Sequence, residues 1–177
     1  QEENIPLPSN SVDYIHSSGV IHHATQPMKI LAEFHRILRP GGACRIMVYN
    51  YDSLWVHLYV AYQKMIIEKM YSNIPLREAF VKTTDGVHCP VSNVYKPEEF
   101  SRLVTSVGLD CEFIGAAISA REMSYLPLKF NAIMNQQLNP ESRDFLFNLN
   151  MDSNGFPTYN GHRAGIDGCY YITKNHC

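Results

Sequence analysis

The chain is short of charge. Asp, Glu, Lys and Arg make up 18% of its 177 residues, against the ~25% of an ordinary globular domain, which points to a large covered surface. Neither sign is in excess. Fifteen Lys plus Arg stand against seventeen Asp plus Glu, a formal charge of -2, so no basic surplus exists to hold a phosphate backbone or an anionic membrane surface. Nucleic acid and membrane are not expected partners. Long apolar runs are missing as well: the richest stretch, Ile46 to Ile67, is broken by Asn50, Asp52, His57 and Lys64, whereas a membrane span needs about 20 nearly uninterrupted apolar residues. The cysteines, at 44, 89, 111, 169 and 177, form no CxxC pair and are odd in number. Neither a zinc knuckle nor a closed disulfide framework is suggested. His16, His22, His23 and His35 have no recognised ligand spacing, so no metal is expected. Gln1-Glu2-Glu3-Asn4 is not a charged-then-apolar leader, and reduced thiols in the cytoplasm are the expectation. With no repeat, low-complexity tract or linker, residues 1–177 are expected to lie in a single domain.

What is present is an alternation of strand and helix signals. Ser11 to Ser18 alternates around Val12, Tyr14 and Ile15 and ends in Gly19, as a buried strand and its turn do. Pro27 opens a helix, and Ile30, Leu31, Phe34, Ile37 and Leu38 give it one apolar stripe through Arg39. Pro40-Gly41-Gly42 stops it, and Ala43 to Tyr49 reads as a central strand. Strand, helix, strand at this spacing describes a right-handed crossover in a parallel sheet. Leu54 to Tyr71 carries two adjoining stripes, Leu54, Leu58, Ala61, Met65 and Trp55, Tyr59, Tyr62, Ile66, so a helix there needs cover on most sides. Thr83 to Tyr95 reads as an ordered loop. Further helices are expected from Pro97 to Gly108, through the Met- and Asn-rich segment, and after Asn139-Pro140-Glu141. Strands are expected over Leu109 to Ser119 and Gly168 to Lys174.

One block is specific: Ile5-Pro6-Leu7-Pro8-Ser9-Asn10-Ser11-Val12-Asp13-Tyr14-Ile15, then Ser18-Gly19-Val20-Ile21-His22-His23, then Leu38-Arg39-Pro40-Gly41-Gly42. It resembles the second half of class I, S-adenosylmethionine-dependent methyltransferases of the group that modifies small molecules. That family carries a Leu-Pro…Asn-Ser-x-Asp lead-in to its fourth strand, a Gly-Val-Leu-His-His exit and a Leu-Lys-Pro-Gly-Gly turn into its fifth. The resemblance implies an incomplete α/β Rossmann-like sheet, strands four to seven with flanking helices, and a variable cap around residues 54–95 and 121–160. The family's Gly-x-Gly-x-Gly loop and ribose-binding carboxylate would lie upstream of Gln1, so the chain is expected to be the C-terminal portion of a methyltransferase domain. A fourth strand with an open edge makes association through that edge an expectation too.

The resemblance implies S-adenosylmethionine as cofactor, a small-molecule methyl acceptor, and adenine contacts near Glu2 and Glu3. Open α/β sheets bind ligands beyond the carboxyl ends of their strands, where Ser17, Ser18, Gly19 and Val20 stand. Gly19 lets backbone approach a ligand. His22 and His23 suit a substrate contact or a general base, with His23 the candidate catalytic residue and an expected cofactor contact, or else a structural pair capping the turn. Tyr49, Asn50 and Trp55 line an acceptor pocket or belong to an aromatic helix packed on the sheet. Two other functions compete. One is a non-catalytic methyltransferase-like subunit that supports a partner protein. The other is a nicotinamide-dependent reductase with Tyr125-x-x-x-Lys129, but Pro127 breaks the helix such a pair requires.

Overall fold

The computed structural model describes residues 4–86 and 88–175. Its first strand, β1 (Val12–Ser18), leads through a 3-10 turn, Ile21–His23, to helix α1 (Pro27–Ile37) and strand β2 (Leu38–Tyr49). A long π-helix, Trp55–Ile67, and helix α2 (Leu76–Thr84) precede the loop to α3 (Pro97–Ser106) and β3 (Asp110–Ala117). Short helices α4 (Ala120–Tyr125), α5 (Lys129–Met134) and α6 (Pro140–Phe147) follow. The chain then forms β4 (Asn150–Met151), β5 (Pro157–Tyr159), β6 (His162–Arg163) and β7 (Asp167–Thr173).

The main sheet has the order β1-β2-β7-β3. β1 and β2 are parallel, and β7 runs antiparallel between β2 and β3. This is a Rossmann-like sheet with flanking helices, the class of fold that the resemblance implied. Alternation along the strands decides its faces. Cys44, Ile46 and Val48 of β2 and Tyr170 and Ile172 of β7 are buried against Ile30, Leu31 and Phe34 of α1 and Phe100 and Val104 of α3. Each fully buried side chain of this kind stabilises the fold by ~1.5–3 kcal/mol. On the opposite face Tyr14 and Tyr171 are exposed, with the Arg45 guanidinium 5.9 Å from the Tyr171 ring centre. β1 is the outer strand at its end of the sheet.

Helix α1 stops at Ile37 rather than running through Arg39. Pro40 disfavours helical backbone in the residue before it, and Leu38 is already extended, at φ -62° and ψ 137°. Arg39 to Gly42 bulge out of the β1–β2 ladder, which passes from Val12–Leu38 to Tyr14–Ala43. The last carbonyls of α1 still find donors. The amides of Asn10 and Ser11 donate to Arg36 and Ile37, and the Lys174 ammonium donates to the carbonyls of His35 and Leu38.

Over 54–71 the structure departs from α geometry. The hydrogen bonds of a π-helix reach one residue further than those of an α-helix, so the faces recur at longer spacing. Leu54, Leu58, Ala61, Tyr62 and Ile66 pack towards α5 and α6. Trp55, Val56, Tyr59, Val60 and Met65 pack towards Phe80 of α2 and Val94. Cover on both sides, as expected, is what the helix obtains, but Tyr62 and Ile66 pack with the Leu54 stripe and Met65 with the Trp55 stripe. Helix α2 and the small sheet β4-β5-β6 are additions to the elements read from the sequence.

Candidate functional site

At the carboxyl end of β1 the chain turns at Gly19, whose φ of +74° lies in the left-handed region that glycine adopts without strain. Its amide donates to the Met47 carbonyl at 3.3 Å. A Cβ placed there meets only Met47 Cε, at 4.0 Å, so the backbone is open to close approach. Val20 beside it is 50% exposed, an apolar surface at a strand end. Ser17 is buried and Ser18 exposed. Glu2 and Glu3 lie outside the described residues.

The 3-10 turn that follows carries both histidines. His22 is 1% exposed, and its ring stacks on Tyr49 with centroids 3.8 Å apart. Burial, helped by the nearby His23 and opposed by Asp85, lowers its pKa to about 4, so its imidazole is neutral at neutral pH. Its Nδ1 is buried with no hydrogen-bond partner among the described residues. His23 is exposed, with Nδ1 2.9 Å from the Val91 carbonyl. Tyr49, at the end of β2, donates its hydroxyl to Asp85 Oδ1 at 2.8 Å. Burial and the Asp85 carboxylate both push that phenol pKa up. Ser92 Oγ donates to the other Asp85 oxygen at 2.5 Å, and the Asn93 amide donates to the His22 carbonyl at 2.7 Å. The loop after α2 is therefore tied back onto the turn after β1, and the two form one wall.

His22, His23 and Tyr49 thus come together beside Gly19 and Val20. Asn50 and Trp55 are engaged elsewhere. Asn50 is buried, and its amide donates to the carbonyls of Asp52 and Gly165. The Trp55 indole donates to Thr84 Oγ1 at 3.0 Å, and its ring packs in the aromatic core under the loop. Asp85, Cys89, Val91 and Ser92 join the site from within the ordered loop over 83–95. A cavity of about 310 Å³ lies apart from these residues, around Asp52, Glu98, Tyr159, His162 and Arg163. Burial raises the Asp52 pKa there to about 6.

Parallel strands followed by an antiparallel insertion, with an open glycine turn at the carboxyl end of the first, give the chain the fold of the class I S-adenosylmethionine-dependent methyltransferases. Residues 1–46 match the family model described as a methyltransferase domain. Among solved structures, an S-adenosylmethionine-dependent methyltransferase of Thermotoga maritima, a possible histamine N-methyltransferase, is similar at a TM-score of 0.55 and 15% identity, over 98% of this chain and 61% of that one. Another from Mesorhizobium loti is similar at 0.51 and 12% identity, over 98% and 67%. One from Methanosarcina mazei is similar at 0.50 and 11%, over 100% and 66%. No curated protein matches the chain. Among the described residues no helix is long and apolar enough to cross a membrane.

Proposed function

We propose that the chain supplies the acceptor-side wall of an S-adenosylmethionine-dependent methyltransferase that methylates an O, N or C nucleophile of a small molecule. The observation that carries this reading is the turn at Gly19 and Val20: open backbone and exposed valine at the carboxyl end of β1, flanked by the His22–Tyr49 stack. These residues fit one side of the cofactor. Gly19 admits it against backbone, and Val20 offers apolar contact to its adenine or methionine chain. The cofactor supplies a methyl group on a sulfonium, so alignment in a dry site does much of the work. Tyr49 and neutral His22 form an aromatic wall that excludes water. With Nδ1–H of His23 donating to the Val91 carbonyl, its Nε2 holds the free lone pair and can take the proton that an acceptor hydroxyl or amine releases.

Calorimetry with S-adenosylhomocysteine tests the reading. Val20→Asp, at an exposed position, should weaken binding about tenfold or more, a loss of ~1.4 kcal/mol. Asp52→Asn, in the 310 Å³ cavity beside His162, should leave it unchanged. Equal affinity of the wild type and Val20→Asp contradicts the proposal.

A further inference from the structure

We propose that His23, Asp85 and Cys89, together with the Val91 carbonyl, form a site for one divalent cation of the zinc type that clasps the loop after α2 to the turn after β1. The Nδ1 or Nε2, carboxylate and Sγ atoms of the three side chains lie within 4.8 Å of one another. A tetrahedral zinc, with bonds of about 2.0–2.3 Å, sets its ligand atoms about 3.3–3.6 Å apart. Here His23 Nδ1 and Val91 O are 2.9 Å apart, Cys89 Sγ and His23 Nδ1 3.7 Å, and Cys89 Sγ and Val91 O 3.3 Å. The two separations from Cys89 Sγ already lie close to the edges of such a polyhedron, and the His23–Val91 contact, a hydrogen bond without metal, lengthens by about 0.4 Å to reach one.

The donor set fixes the class of ion. Thiolate and imidazole suit borderline-soft zinc and not magnesium or calcium, which take oxygen. The outer support is also in place. The hydroxyls of Tyr49 and Ser92 both donate to the Asp85 carboxylate, the kind of second contact that orients a metal ligand. The site draws on two segments 66 residues apart, which is why no ligand spacing shows in the sequence. Binding balances without redox chemistry. Cys89 releases its thiol proton to solvent, and His23 frees Nδ1 by holding its proton on Nε2. Metal binding therefore removes the free lone pair of His23. The site does not depend on methyl transfer.

The test uses the full chain stripped of metal and titrated with cobalt(II), then with zinc in competition with a chromophoric chelator. The expected result is one equivalent of cobalt with the intense visible bands of tetrahedral coordination and a near-ultraviolet thiolate charge-transfer band. Cys89→Ser, at a partly exposed position, should abolish that band and weaken zinc more than about 100-fold, beyond what an outer contact gives. His23→Ala should weaken it similarly, with folding checked by circular dichroism. Cys111→Ser and Cys177→Ser should keep the band. A wild-type chain without tetrahedral cobalt bands at stoichiometric metal, or a charge-transfer band that survives in Cys89→Ser, overturns the proposal.

Discussion

Tyr49 and Asp85 are joined by a 2.8 Å hydrogen bond, phenol to carboxylate, that ties the end of β2 to the loop after α2. The same tyrosine ring lies on His22, so one side chain joins a strand end, a turn and a loop. A hydrogen bond to a charged group contributes ~1.5–3 kcal/mol. Tyr49→Phe keeps the ring stack and leaves Ser92 on the carboxylate. It should lower the unfolding free energy by ~1 kcal/mol, read from the urea midpoint. An unchanged midpoint contradicts the tie.

Two buried histidines set the acid side of stability. Burial lowers His22 to about 4 and His57, stacked on Phe145, to about 3. From the ordinary 6.5 down to these values the unfolded chain binds more protons than the folded one. Stability is then fully present above pH 6.5 and is lost as pH falls through that window, by up to ~1.4 kcal/mol per pH unit for each group. Chemical denaturation across that range should show the fall, and His57→Gln should flatten it. A wild-type midpoint independent of pH contradicts the account.

Asp52 acts with the opposite sign. Its pKa is raised from 3.8 to about 6 by burial, with Glu98, Glu141 and Glu99 adding to the rise and Lys96 opposing it. The folded state therefore holds the extra proton between those values, and stability falls as pH rises through them. Asp52→Asn should stabilise the protein above pH 6 by ~1 kcal/mol, a figure reduced for partial solvent screening. A destabilised variant in thermal melts at neutral pH contradicts this.

Glu122, fully buried, is a fastener between α4 and the segment before β7. Its carboxylate accepts from the Ser119 amide and hydroxyl at 2.8 and 2.9 Å and from the Ile166 amide at 2.8 Å. Glu122→Ala strands the Ile166 amide and should cost ~3 kcal/mol or more, with Glu122→Gln costing less. Equal denaturation midpoints for the two variants contradict that role.

Local signals were legible in the sequence. Pro27 and Asn139-Pro140 mark helix starts through their fixed φ or cap, and the strand after Ala43 declares itself by its apolar run. The Pro40-Gly41-Gly42 stop falls two residues late, because proline acts on the backbone ahead of it. What was not legible depends on distant pairing. His23 meets Cys89 and Val91 only through the fold, and Asn50 serves a carbonyl at Gly165. At Gly165 a Cβ would run into the Ala117 carbonyl, a constraint no pattern reveals. The strands of the small sheet are two or three residues long, too short to show alternation.

The most direct measurement of the central claim is a map of amide and methyl chemical shifts as S-adenosylhomocysteine is added. Shifts concentrated at Gly19, Val20, His22 and His23 are expected, with Asp52 and His162 still. Shifts centred on Asp52 and His162, with Gly19 and Val20 still, would contradict that claim.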